Sequence, residues 1–208
     1  MKFVLKGVCL GLGLLALQAC AFVDQEIELG YTPQGYEPQG SGTVVAAAPK
    51  AAYTNDLNPE GRLIIGTVKN GFGSRTADVL PVNDPATWIA NAVVSELELA
   101  GYTVEKSGST VVDDAARAIE VKVTKVFTDQ DTGMMTIGAI STLFYELTVK
   151  SNGTVVATIP VTYSADISER SIAGTGSLKA AALKEALEKS LSTAMPQVLE
   201  ALQGTPTS

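Results

Sequence analysis

The chain has 208 residues, with 15 basic and 22 acidic side chains, no His and two Cys. Without His it lacks the commonest general base and metal ligand, and the Ser-His and Cys-His nucleophile systems with them. A net charge of −7 argues against nucleic acid as a partner, because phosphate binding is driven mainly by clustered Lys and Arg.

Residues 1–19 have the three parts of an export signal. Met1, Lys2 and Lys6 form a short positive start, Gly7 to Leu17 is apolar, and small Ala19 marks a cleavage point. The apolar run is too short to cross about 30 Å of hydrocarbon as a helix. Cys20 follows directly, so Leu17-Gln18-Ala19-Cys20 matches the pattern of a bacterial lipoprotein signal, in which the thiol receives a diacylglycerol and becomes the first residue. A plain secretory signal with a coincidental Cys is the alternative. Cleavage leaves 189 residues, with 13 basic against 22 acidic side chains and a net charge of −9. That is enough chain for one domain with a sizeable core. Such a surface has no polybasic grip on anionic lipid, so the acyl chains on Cys20 would hold the membrane, two or more being needed for stable anchoring. Cys9 leaves with the signal and Cys20 is consumed by lipid, so the folded domain is expected to have neither disulfide nor free thiol.

Residues 20–42 read as the lipidated start and a linker. Ile27, Leu29 and Tyr31 alternate against Glu26 and Glu28 as a possible short strand, and a five-residue repeat follows, Tyr31-Thr-Pro-Gln-Gly35 and Tyr36-Glu-Pro-Gln-Gly40. Pro and Gly at that period cannot continue a helix or a central strand. A flexible segment of this length reaches on the order of 25 Å and would let the domain stand off the membrane. A Pro-rich peptide that binds a partner is the alternative.

Residues 43–203 read as one domain and 204–208 as a disordered tail. Strands are expected at Thr43–Ala48, Arg62–Val68, Tyr102–Glu105, Ala118–Phe127, Leu143–Val149 and Val155–Tyr163 from apolar runs and period-two alternation. A helix is expected over Pro85–Ala100, capped by Asp84, begun by Pro85 and ended by Gly101. A second spans about Leu178–Leu202, with Ser177 as its cap, a stripe of Leu183, Leu187, Leu191, Ala194, Val198 and Leu202, and a kink or break at Pro196. Between the last two strands a three-residue loop around Gly153 would set Val149 against Val155 and Leu147 against Ala157, whereas a two-residue Asn152-Gly153 loop would set Leu147 against Thr158. Pro160 belongs on a sheet edge. These elements predict an α+β fold: a single antiparallel or mixed sheet of four to six strands, with two helices packed on one face.

Ile64-Ile65-Gly66-Thr67-Val68-Lys69-Asn70-Gly71-Phe72-Gly73, with Trp88-Ile89 and the Leu97 to Val104 segment after it, resembles the YajG-like family of bacterial lipoproteins. Phe72 stands where that family usually has Tyr, and residues 49–55 look inserted. The resemblance implies an outer-membrane lipoprotein of a largely uncharacterised family, and Ala21, in place of Asp, after the lipid-bearing Cys agrees with that destination.

Four stretches carry possible chemistry. The Gly-rich Lys69 to Arg75 loop has amides and a Lys for an anion, but lacks phosphate-loop spacing and reads first as a tight turn. In Gly174 to Lys179, Ser177 is better used as a helix cap. Asp113-Asp114 and the pair Asp129 and Asp131 offer oxygen ligands for a hard cation, yet match no EF-hand loop. Met134 to Ile140 is an apolar tip that continues the sheet or meets a partner or lipid. The expected function is a lipid-anchored, periplasm-facing accessory or scaffold of an envelope assembly, without catalysis, cofactor or metal, held to membrane lipid through acylated Cys20 and joined to an envelope protein. An auxiliary carrier for a lipid or glycan is the alternative, which an apolar cavity would favour; an enzyme using paired carboxylates is the third reading.

Overall fold

The computed structural model describes residues 23–37, 39–70, 72–132, 137–169 and 175–204. Cys20 and the export signal lie outside these residues, as do residues 133–136 of the apolar tip and residues 205–208 of the tail. Among the described residues, nine strands and two helices follow in the order β1 (Gln25–Ile27), β2 (Thr43–Ala46), β3 (Lys50–Ala51), β4 (Gly66–Lys69), β5 (Arg75–Pro81), α1 (Pro85–Leu99), β6 (Thr103–Lys106), β7 (Arg117–Thr132), β8 (Ile137–Ser151), β9 (Thr154–Glu169) and α2 (Thr175–Gln203).

The expected sheet of four to six strands is corrected to nine, in an architecture that remains α+β. The reason is the length of β7. At about 3.3 Å per residue its 16 residues run roughly 50 Å. One edge pairs antiparallel with β8, which pairs antiparallel with β9. Three short strands divide the other edge end to end, all parallel to it: β2 against Ala118 and Ile119, β3 against Lys122 and Val123, and β4 against Thr128. β6 extends the sheet beyond β2, while β5 and then β1 extend it beyond β4. β3 and β5 carry no clean alternation of their own; the edge of β7 defines the place of β3, and β4 that of β5.

Val121 and Leu147 lie opposite each other and share the covered face, which both helices pack against. A bulge between Val123 and Lys125 changes the parity of β7. Beyond it Val126, Thr128 and Gln130 are buried. Lys125 turns to the outer face, its Nζ 5.6 Å from the Phe127 ring centre and 5.7 Å from that of Phe144.

The β8–β9 turn differs from expectation. It is the two-residue Asn152-Gly153 turn, with φ of 47° and 76°, pairing Ser151 with Thr154. One extra residue, Val156, is then accommodated between the Lys150–Val155 and Val149–Ala157 pairs, so Leu147 meets Ile159 and Tyr145 meets Val161. A bulge restores the match of apolar faces that a longer loop was expected to provide. Pro160 lies on β9, which among the described residues pairs with β8 alone.

Helix α1 begins as its sequence requires, with Asp84 Oδ2 accepting from the Thr87 amide at 2.7 Å and Gly101 at φ 98° past its end. Helix α2 starts three residues before the expected Leu178, so Ser177 falls inside its first turn. It also runs unbroken through Pro196, flanked by buried Ala194, Met195, Val198 and Leu199. Packing on both sides of the proline outweighs its missing hydrogen bond.

The N-terminal segment is not a free linker. Ile27 and Leu29 are buried in the main core. The Leu29 amide donates to Asn83 Oδ1 at 2.8 Å, and Trp88 Nε1 donates to the Gly30 carbonyl at 2.9 Å. The pentapeptide repeat then follows α1 toward its C-terminus: the first Gly, Gly35, donates to the Glu96 carboxylate at 2.8 Å, and the second, Gly40, to the Ala100 carbonyl at 2.7 Å. Pro and Gly shape this stretch for fitting along a helix.

Candidate functional site

The cleft between α1 and the β2–β6 end of the sheet arises from a run of small side chains. Ala46, Ala47 and Ala48 form one wall, Ala90 and Val94 of α1 the other, and Ile119 and Val121 of β7 the floor. Where leucines would fill the gap between helix and sheet, alanines leave about 190 Å³ open. The polar lining is at the rim: Thr87, Asn91, Lys106 and Ser107. Lys106 Nζ donates to Asn91 Oδ1 at 3.1 Å and so bridges β6 to α1. The backbone around it is tied down by the Ser107 amide on the Ala46 carbonyl and the Ala48 amide on the Ser109 carbonyl, both at 2.8 Å. The cleft is therefore a preformed apolar slot with one cation beside it. No carboxylate is among its lining residues, so its chemistry is apolar recognition.

Of the buried charged residues elsewhere, Glu96 and Lys179 occupy apolar helix stripes. Glu96, 1% exposed, follows Ile89 and Val93 on the inward face of α1. Its carboxylate accepts from the Tyr31 hydroxyl, the Gln34 amide at 2.7 Å and the Gly35 amide. Burial, reinforced by the bond to Glu96 and its charge, holds the Tyr31 hydroxyl protonated far above its ordinary range. This cluster fastens the N-terminal segment to α1. Lys179, also 1% exposed, precedes Leu183 by one turn on α2 and donates to Gln25 Oε1 at 3.0 Å, joining α2 to β1. Burial pushes its amine down to about 8, with the charge of Asp129 acting in the opposite direction.

The stretches singled out in the sequence are dispersed. In the Lys69–Arg75 loop, Lys69 Nζ is occupied by Asp129 Oδ2 at 2.6 Å. Asn70 organises the turn, its side-chain oxygen accepting from the Phe72 and Ser74 amides at 3.0 Å each. The result is a built turn that holds Phe72 outward at 96% exposure. Burial works against the charge on Asp129, but hydrogen bonds from Lys69 and Thr67 and the Lys69 charge keep its carboxyl below the usual range. Asp113 pairs with Lys150 at 2.8 Å, and Lys150 also meets Glu120 at 2.6 Å. Among the described residues no three His, Cys, Asp or Glu side chains gather as a metal site. Of the apolar tip, residues 137–140 are described and continue the sheet as the start of β8, with Ala139 buried and Ile140 exposed. The sequence reading missed the cleft and Glu96, and named Lys179 only as the end of the Gly174 to Lys179 stretch, not as a buried charge. For the two charges the signal was present, since each interrupts an apolar stripe at helical spacing.

No family model matches the chain, and no curated protein matches it. Similar solved structures exist. A Xanthomonas campestris protein of the DUF330 family is 19% identical with a TM-score of 0.51, the alignment covering 86% of this chain and 96% of that one. A candidate homologue of the neuraminyllactose-binding hemagglutinin from Helicobacter pylori is 14% identical with a TM-score of 0.41, covering 85% and 92%. A candidate lipoprotein from Caulobacter crescentus is 12% identical with a TM-score of 0.30, covering 58% and 84%. The likeness to the Xanthomonas protein shows a shared fold across nearly the whole of both chains, and the narrower YajG-like resemblance rests on the Ile64–Gly73 run and the segments after it.

Proposed function

We propose that this protein is a lipid-anchored, periplasm-facing outer-membrane accessory that works without catalysis and binds one envelope protein through the cleft beneath α1. The signal ending at Cys20 supports the location, and no helix among the described residues is long and apolar enough to cross a membrane. The cleft carries the binding role. Ligand pockets occupy about 300–1,000 Å³, and 190 Å³ is below that range. It has room for one apolar side chain, not for a glycan or an enclosed acyl chain. Lys106 at the rim selects a partner segment with a carboxylate beside its apolar anchor. The carrier reading is favoured by the apolar lining and disfavoured by the volume.

A photo-crosslinking residue in place of Asn91, activated in intact cells, tests the reading. Capture of one protein, abolished when Ala47→Leu fills the slot, is the expected outcome. Recovery of no protein, with native mass spectrometry showing a bound lipid, would give the function to the carrier reading instead.

A further inference from the structure

The register of β1 determines which end of the domain starts near the anchor. β1 runs parallel to β5, with Gln25 opposite Val79, and Asp24 Oδ1 accepts from the Asp78 amide at 2.8 Å. Going back along the chain from β1 therefore leads toward Arg75, where β5 leaves the β4–β5 turn. Residues 25–37 and 39–40 run along the domain, so the chain from Cys20 to Gln25 spans at most about 17 Å, and Cys20 cannot be more than about 10 Å from Val23. This replaces the expected reach of roughly 25 Å. A lipid on Cys20 would hold this end of the molecule against the bilayer.

Phe72 projects from the β4–β5 turn at 96% exposure, the most exposed large apolar side chain described, and the Asn70 side chain holds its backbone. Val23, 62% exposed, lies at the same end. The mature chain is strongly acidic, yet near this turn Asp129 is paired with Lys69 and Asp78 with Arg75. These two pairs reduce the repulsion that their carboxylates would meet from anionic headgroups. Val155 and Val156, also exposed, are at the far end of the sheet, beside the β8–β9 turn.

We propose that the β4–β5 end rests on the membrane with Phe72 inserted at the lipid interface, so that lipidation orients the domain as well as retaining it. The proposal rests on the lipid-anchor reading, and its test separates the two. Cys20 is the single thiol of the mature chain. Purified mature protein can be coupled through it to a maleimide lipid in phosphatidylethanolamine–phosphatidylglycerol vesicles, whatever the cell does to that residue. Phe72→Trp and Val156→Trp variants are then read by tryptophan emission with brominated lipid as quencher, against the background of buried Trp88. A blue shift and loss of most of the added emission at position 72, with none at 156, is expected. Quenching at neither position means the domain stands off. Quenching at 156 alone, or equally at both, means it docks otherwise; each result overturns the proposal. Intact mass of the cell-derived protein reports separately on the anchor.

Discussion

Lys179 shows what a single side chain does when a helix stripe carries it into the core. Its ordinary value of 10.5 applies in the unfolded chain, and burial lowers it to about 8 in the folded one. Between those values the unfolded chain holds a proton that the folded chain has released, so stability rises with pH across that window. Below about pH 8 both states are charged and the full cost of the buried ammonium is present. Above about pH 10 the partly buried Tyr31 and Tyr53 and the buried Tyr145, all raised by burial, act in the opposite direction. Urea midpoints measured from pH 8 to 10 should therefore climb for the native chain and stay flat for Lys179→Met. At pH 7 that variant should be more stable by up to the order of 3 kcal/mol. A flat native profile would mean the amine is solvated. Glu96 was legible in the same way, as an acid on the Ile89–Val93 stripe. Its partners, the Tyr31 hydroxyl and two backbone amides more than 60 residues away, were not.

Elements meet most closely where β4 touches β7. Gly66 is the β4 residue paired with Thr128, and a Cβ there would lie 2.3 Å from the Thr128 carbonyl oxygen and 2.8 Å from its Cγ2. Backbone cannot yield as a flexible side chain would. Gly66→Ala should lower unfolding free energy by about 3 kcal/mol, at the upper end of overpacking costs. Gly30→Ala, with nothing within 4 Å of its Cβ, should change it by less than about 0.5 kcal/mol. Equal urea midpoints for the two variants would mean that β4 is not pressed against β7. Gly66 belongs to the run that carries the YajG-like resemblance, yet nothing local marks it as a contact point. Asn152-Gly153 likewise marked a turn, but its length depended on the bulge at Val156, which only the facing strand reveals.

At the scale of the molecule, the N-terminal segment changes how the protein is held. Read locally, two Pro-Gly repeats mean a tether. In the fold, Ile27 and Leu29 join the core, and the repeats follow α1. Deleting residues 21–41 from the mature chain should cost about 3–6 kcal/mol from Ile27 and Leu29 alone. Circular dichroism during urea unfolding checks this, and a deletion variant as stable as the parent would restore the tether. The sequence by itself determined both helices and the long alternating strands, because caps and periodicity act over a few neighbouring residues, and the Leu17 to Cys20 pattern behind the lipid-anchor reading is likewise a local one. Tertiary structure decided the nine-strand sheet, the fastened N-terminal segment and the alanine-lined cleft. Each depends on an edge, a helix face or a gap supplied by residues far away in the chain, and no local pattern encodes what a distant partner leaves open.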